Sequence, residues 1–201
     1  MQQRSEETRT RLLEAAVSLF AQQGYEASSV AEICAAAGVS KGAFYHHFES
    51  KQALFLALLD EWLARLDGAF AAVRQDAQHV PQAVVRMADM AGGLLTSSGA
   101  QVSIMLEFWM QAYRDPQVWN ATAAPYHRYQ QYFASLIEEG IRQGSLRPVD
   151  PQLAARVLVS LSMGLLLQAV FDPKATDWTQ EAGQSLQLLM DGLAARGSWT
   201  W

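Results

Sequence analysis

Apolar residues recur at helical spacing along almost the whole chain, and no run of alternating β-branched residues marks a strand. The predicted class is all-α. Leu12, Ala16, Leu19 and Phe20 stripe one face of a first helix over about Ser5–Gln22, with Ser5 as its cap, Glu6 and Glu7 at its positive end, and Gly24 stopping it. Ser29-Val30-Ala31-Glu32 has the spacing of a capping box and predicts a short helix to Ala37. Gly38 supplies a sharp turn, and Ser40 caps a second short helix ending at His47. Ser50 opens a long fourth helix with Leu54, Phe55, Leu58, Leu59, Trp62 and Leu66 in helical register.

Further amphipathic helices follow. Pro81 opens one that ends near Ser97-Ser98-Gly99, and Gln101–Arg114 forms the next. Asp115-Pro116 and Asp150-Pro151 each place a capping acid before a proline at the first helical position. Pro125 falls inside the helix expected over Pro116–Gln143 and predicts a kink or break near Ala124. The last two helices are expected over Pro151–Phe171 and Asp177–Arg196.

Composition narrows the picture. Half of the 201 residues are hydrophobic, enough for a substantial core, and only 17% are charged, which disfavours disorder. The start, MQQRSEETRT, has charge where a secretory signal needs an apolar stretch, so a cytoplasmic location is expected. The most apolar run, Val157–Phe171, is shorter than a bilayer span and is interrupted by Ser160, Ser162, Gly164 and Gln168, so no membrane partner is expected. A lone cysteine, Cys34, excludes a disulfide framework or a thiolate-rich zinc site, and no cofactor or metal is expected. His46 and His47 are neighbours, which on a helix point about 100° apart and do not easily grip one ion. The net charge is −5, with residues 1–51 contributing −1. Bulk attraction to a polyanion is therefore excluded; any nucleic-acid contact must place a few cations and helix N-termini at phosphates.

Two short helices joined by a tight glycine turn and braced by a longer first helix have the outline of a helix-turn-helix, though similar pieces occur in plain bundles. The residues themselves carry the resemblance further. From Thr10 to Leu54 the chain reads TRLLEAAVSLFAQQGYEASSVAEICAAAGVSKGAFYHHFESKQAL, with AAGVSKGAFYHHFESK as its most specific stretch. This segment resembles the N-terminal domain of the TetR/AcrR family of bacterial regulators. The rest of the chain matches only in length, helix order and the Asp-Pro starts. The resemblance implies an N-terminal three-helix DNA-binding domain over 1–51 and a C-terminal helical ligand-binding and dimerisation domain over 52–201.

The resemblance further implies that Lys41, Gly42, Ala43, Tyr45 and His46 lie on the groove-facing surface of a recognition helix. Lys41 leads as base reader, reaching guanine O6 and N7 or a phosphate. Gly42 permits close backbone approach, and Ala43 is placed to touch a thymine methyl. Tyr45, His47 and Lys51 are expected at phosphates, as are Ser29 and the amides around Val30. Arg4, Arg9 and Arg11 form either a solvated face or a backbone contact. Where the family often has threonine after Lys-Gly this chain has Ala43, and where it often has a basic residue at the start of the second helix this chain has Ala31. Direct readout is therefore expected to be modest, with specificity leaning on dimer geometry and DNA shape.

Phe44 and Phe48 are expected in the core, as is an inert Cys34. In the C-terminal part, Trp62, Met105, Trp109, Tyr113, Tyr126 and His127 are either core or the lining of a cavity for a small, largely apolar or aromatic inducer. Leu161, Leu165, Leu186, Leu189 and Leu193 are the candidates for a homodimer interface, since the family pairs its last two helices across a two-fold axis. The expected partners are thus a double-stranded, pseudo-palindromic operator, a second copy and an inducer. Two alternatives stand beside this reading: an architectural or adaptor protein of the same fold without an inducer, and an enzyme using His127 with Glu107 or Glu138. No nucleophile, metal-ligand or phosphate-loop pattern supports catalysis.

Overall fold

The computed structural model describes residues 2–96 and 100–195, with the side chains of residues 2–3, 94–96, 100–103 and 105 outside the description. The described residues form nine helices: α1 (Gln2–Gln23), α2 (Val30–Ala37), α3 (Lys41–His47), α4 (Lys51–Asp76), α5 (Val80–Thr96), α6 (Ala100–Arg114), α7 (Pro116–Arg142), α8 (Pro151–Phe171) and α9 (Trp178–Leu193). The only extended pairing among them is an isolated bridge between Leu146 and Ala194.

Most boundaries follow from capping chemistry. Ser29 Oγ accepts from the Glu32 amide at 3.2 Å while the Glu32 carboxylate accepts from the Ser29 amide at 2.8 Å, completing the capping box. Asp115, Asp150 and Asp177 accept the first free amides of α7, α8 and α9, at 2.7, 2.9 and 3.0 Å. Each such cap contributes about 1 kcal/mol. One expectation changes, and the break expected near Ala124 is absent. The helix α1 begins at Gln2, so Ser5 lies within its first turns and does not cap it. The helix α7 runs unbroken through Pro125: the proline removes one bond to the Ala121 carbonyl, and a helix of 27 residues retains the others. The expected end of α5 at Ser97-Ser98-Gly99 and of α9 at Arg196 lies outside the described residues.

The chain divides into two compact units, one of residues 1–64 and 98–122, the other of 65–97 and 123–201. Helices α4 and α7 each give their first part to the first unit and the remainder to the second. In the first unit Phe20, Phe44, Phe48 and Phe55 are buried with Leu12, Ile33 and Leu54. The ring of Phe55 stacks on Phe108 of α6, centroids 4.1 Å apart and planes at 27°, so α6 shares the core of the first three helices.

In the second unit α9 packs on α5 and α8. Polar side chains join α4 to α7: Arg74 pairs with Glu139, and the Tyr129 hydroxyl donates to Asp67 at 2.7 Å. Loss of solvent and the Asp67 carboxylate together push the Tyr129 phenol far above its usual range. The loop before α8 is pinned to the end of α9 by Arg147, whose amide donates to Leu193 O at 2.9 Å and whose Nε donates to Gly192 O at 3.1 Å. The helix α8 has 21 residues and an 18-residue stretch of mean hydropathy 1.8, so by length and composition alone it is long and apolar enough to cross a membrane, although its most apolar run, Val157–Phe171, is shorter than a bilayer span. Its Ala154, Ala155, Leu158, Val159 and Leu165 are nevertheless buried within the protein.

Gly140 sits where α7 meets the α7–α8 turn, and a Cβ there would lie 2.6 Å from Leu146 Cδ1 and 3.2 Å from Val80 Cβ, both in the core. Gly68 in α4 faces open space. Gly140→Ala is therefore expected to lower the unfolding free energy by about 1–3 kcal/mol through overpacking. Gly68→Ala should raise it by roughly 0.5–1 kcal/mol through helix propensity. Urea denaturation of the two variants checks both signs; stabilisation by Gly140→Ala would contradict the packing described.

Candidate nucleic-acid interface

The α2–α3 corner is built by its caps. Gly38 adopts the left-handed conformation, φ 65° and ψ 38°, which costs a side chain little only in glycine. Its amide and that of Val39 return to Ala35 O at 3.2 Å and Cys34 O at 3.0 Å, ending α2. Ser40 Oγ then accepts from the Ala43 amide at 3.1 Å and starts α3 three residues after α2 ends.

The helix α3 is two turns long and divides cleanly by burial. Phe44 is fully buried and Phe48, just past its end, is 5% exposed. Lys41, Gly42, Tyr45 and His46 are exposed on the opposite side, and Ala43 and His47 are half-buried at its flank. A spacing of four residues brings Lys41 beside Tyr45 and Gly42 beside His46, giving one polar and aromatic surface on an apolar foundation. The Tyr45 ring stands edge-on to Phe44, centroids 5.3 Å apart, which braces the exposed phenol from below.

At the flank, burial, His46 and Arg9 depress the His47 pKa below its usual value, partly countered by Glu6. Arg9 itself is committed elsewhere. It pairs with Glu61 of α4 and lies over the Phe48 ring at 5.6 Å, locking α1 to the end of α3 and to α4, while Arg4 and Arg11 are exposed.

Ser29 and Val30 stand at the α2 N-terminus as expected, but Glu32 occupies part of that anion-attracting end. The Ser29 hydroxyl donates to the Glu32 carboxylate at 2.7 Å, and these hydrogen bonds hold its pKa below the usual carboxylate range. Lys51, expected at a phosphate, meets the protein's own backbone in the free chain: its Nζ donates to Tyr25 O at 2.7 Å and Ser28 O at 2.9 Å. No local pattern signals this, because the carbonyls come from a loop more than 20 residues away. Sequence reading likewise misses two bonds from the α6–α7 corner: buried Gln111 donates to Glu26 at 3.0 Å, and Gln52 donates to Asp115 at 2.9 Å. Cys34 is buried, and loss of solvent raises its thiol pKa.

Of the residues expected around an inducer, Trp62 and Trp109 are half-buried, Tyr113 is 90% exposed, and Tyr126 and His127 are also exposed. Trp109 and Tyr113 join Leu106, Met110 and Arg114 around an open depression of about 400 Å³ on α6. The side chain of Met105 lies outside the described residues. Among the expected dimer contacts, Leu165, Leu186 and Leu193 are buried within the chain itself and leave a partner almost nothing to cover. Leu161 and Leu189 are half-buried. The exposed large apolar residues of these helices are instead Leu153, Val157, Met163, Leu167 and Phe171 of α8 and Leu188 of α9.

A helix-turn-helix followed by a helical second part defines a class of DNA-binding transcriptional regulators. Residues 12–58 match the bacterial regulatory proteins of the tetR family, and residues 94–198 match the C-terminal domain of BetI-type transcriptional repressors. The chain belongs to the tetR family of transcriptional regulators. It is 28% identical over 196 residues to the HTH-type transcriptional regulator UidR of Escherichia coli (strain K12), covering 96% of each chain. Its fold is shared with a putative transcriptional regulator from Saccharomonospora viridis solved in complex with choline, at a TM-score of 0.81 and 24% identity over 95% of this chain and 100% of that one. The fatty acid degradation regulator FadR from Bacillus halodurans is similar too, with a TM-score of 0.82 and 22% identity over 94% and 97% of the two chains.

The depressed His47 pKa has a stability consequence. The unfolded chain takes up this proton first, so the contribution of neutral His47 is full above the unfolded value of about 6.5 and declines as pH falls below it. The thermal midpoint of the wild type is expected to drop more between pH 7.5 and 5.5 than that of His47→Gln; equal drops would exclude the effect.

Proposed function

We propose that two copies of this chain hold a pseudo-palindromic operator through their α3 helices, repress transcription there, and release the DNA when a small, largely apolar or aromatic inducer binds the C-terminal part. The observation that carries the DNA half of this reading is the division of α3, with Lys41, Gly42, Tyr45 and His46 exposed above buried Phe44 and Phe48. Lys41 reads a guanine edge or holds a phosphate, Gly42 admits the DNA backbone, Ala43 meets a thymine methyl, and Tyr45, His46 and His47 hold phosphates. The free amides at Val30 add another phosphate contact. With no basic bulk charge, affinity rests on these few contacts and on the spacing of two half-sites.

The dimer forms on the apolar stripe of α8. Leu153, Val157, Leu167 and Phe171 follow one another at helical intervals on one exposed side, with Ser160 and Gly164 between them, and Leu161 and Leu189 border the contact. Such a protein works in the cytoplasm.

The inducer binds near Trp62, Met105 and Trp109. The shared fold does not fix its identity, since proteins of similar fold include a regulator solved with choline and a regulator of fatty acid degradation. Its effect reaches the DNA-binding helices through α6, because Phe108 stacks on Phe55 and Gln111 holds Glu26. A ligand that binds the α6 position incompatible with operator spacing shifts the population towards release.

Gel-shift titration of the duplex upstream of the encoding gene tests the DNA half. Lys41→Ala and Tyr45→Ala are expected to weaken binding about fivefold or more each, about 1–3 kcal/mol for a lost base or phosphate contact, with unchanged thermal midpoints. Wild-type affinity in both would remove α3 as the reader. Small apolar and aromatic metabolites added to the wild-type complex should release DNA; if none does, the sensor half falls and the adaptor reading replaces it. Leu167→Glu is expected to halve the mass measured by light scattering, and an unchanged dimer mass would exclude the α8 stripe.

A further inference from the structure

Two imidazoles stand together at the end of α3, ring centroids 5.1 Å apart and planes at 76°. His46 is exposed, whereas His47 is half-buried beside Phe48, with those two centroids 6.3 Å apart. Loss of solvent, His46 and the Arg9 guanidinium all disfavour a charge on His47, and only Glu6 favours one. Arg9 is fixed in that place, since it pairs with Glu61 of α4 and lies over the Phe48 ring at 5.6 Å. Of the helices packed on α3, α1 presents Arg9 and Glu6, while α2 carries only Glu32, bound to Ser29, and the buried Cys34. Within α3 itself Lys41 stands at the opposite end, and Glu49 follows the helix, exposed. Among the described residues no group hydrogen-bonds the His47 ring nitrogens, which leaves them open to a group from outside.

We propose that operator binding takes up a proton at His47 of each α3: the imidazole is neutral in the free protein at neutral pH and becomes an imidazolium when a DNA phosphate comes to lie beside it. The inference rests on the DNA-binding reading above. In the free chain a single acid acts on His47 against two basic neighbours and lost solvent. A phosphate reverses that balance, because an opposite charge within about 4–6 Å favours the charged form. The proton comes from solvent, since a phosphodiester stays ionised and has none to give. Linkage then fixes the sign. The complex holds more protons than its free parts, so affinity rises as pH falls, and each unit by which the phosphate raises the His47 pKa adds up to about tenfold for each α3. A neutral imidazole donating one N–H would make the same contact with no proton uptake and no dependence on pH. Stability runs the other way, since the free protein loses stability as pH falls through this group. Acid unfolding therefore cannot imitate the tightening.

Full-length wild type, His47→Gln and His46→Gln are titrated with the duplex upstream of the encoding gene from about pH 6 to about pH 8 at constant ionic strength. The His47 imidazole of the wild type is followed by NMR over the same range, free and bound. Wild-type affinity is expected to be about tenfold or more higher at the acid end than at the alkaline end, and the His47 midpoint should lie higher in the complex. On a logarithmic scale His47→Gln should lose at least half of that rise, whatever its affinity at the alkaline end, and His46→Gln should keep most of it. The readout is the shape of the profile: a variant that merely seats α3 less well lowers the profile without flattening it. A flat wild-type profile shows a neutral contact and overturns the proposal. So does a His47→Gln profile parallel to the wild type, or a profile flattened by His46→Gln alone, which gives the proton to the neighbour. An unchanged His47 midpoint overturns it even if both variants fail to fold. A chain that binds the duplex at no pH removes the DNA-binding reading and this proposal together, whereas tight binding with a flat profile removes the proposal alone.

Discussion

Burial of Phe44 and Phe48 is the constraint on which the DNA-binding end of this molecule depends. A helix of seven residues lies below the length at which a helix persists alone in water, since nucleation fixes several residues for one hydrogen bond. Burying each phenylalanine contributes roughly 1.5–3 kcal/mol, enough to hold two turns that propensity alone would not. The same anchoring turns the opposite side outwards. Lys41, Gly42, Tyr45 and His46 are exposed because Phe44 is not, so the functional surface and the core are two consequences of one helical period.

Around this pair the first unit is tied by side chains that reach across sequence. Arg9 connects α1 with Phe48 and Glu61, Lys51 gathers the α1–α2 carbonyls, and Gln111 joins α6 to Glu26. Each satisfies polar groups that would otherwise cost more in partial burial than the bond itself contributes. The aromatic stack of Phe55 on Phe108 supplies the apolar counterpart. Helix α6 is thereby part of the compact unit that carries the recognition helix, although more than 50 residues separate them in the chain. A displacement of α6 cannot leave that core unaltered, because well-packed interiors respond to shifts of less than a side chain's width.

Much of the fold was legible from residue pattern. The capping box at Ser29-Glu32, the Gly38 turn, the Ser40 cap and the Asp-Pro starts act within a few residues of themselves, so their outcome is local. At Pro125 the expected break is absent, because the rest of a long helix carries the chain through it. Leu186 and Leu193 looked like interface residues because apolar periodicity reports that a face is covered without naming what covers it. The cover proved to be the chain's own second unit, and the side left open on α8 holds Leu153, Val157, Leu167 and Phe171. Tyr113, counted with the inducer candidates, is similarly ambiguous by pattern and is turned outwards.

Sequence by itself therefore determined the helices, their caps, the α2–α3 corner and the family, because short-range hydrogen bonding and helical period decide them. Tertiary structure alone decided which groups of the protein each cation meets. Lys51 and Arg9 look alike with Lys41 as basic residues in and around a helix-turn-helix. They differ because the carbonyls of Tyr25 and Ser28 and the carboxylate of Glu61 are brought to the first two by the folded chain, while Lys41 projects from the exposed side of α3. A charge is spent where its partners are, and the position of distant partners is a property of packing that no stretch of sequence encodes locally.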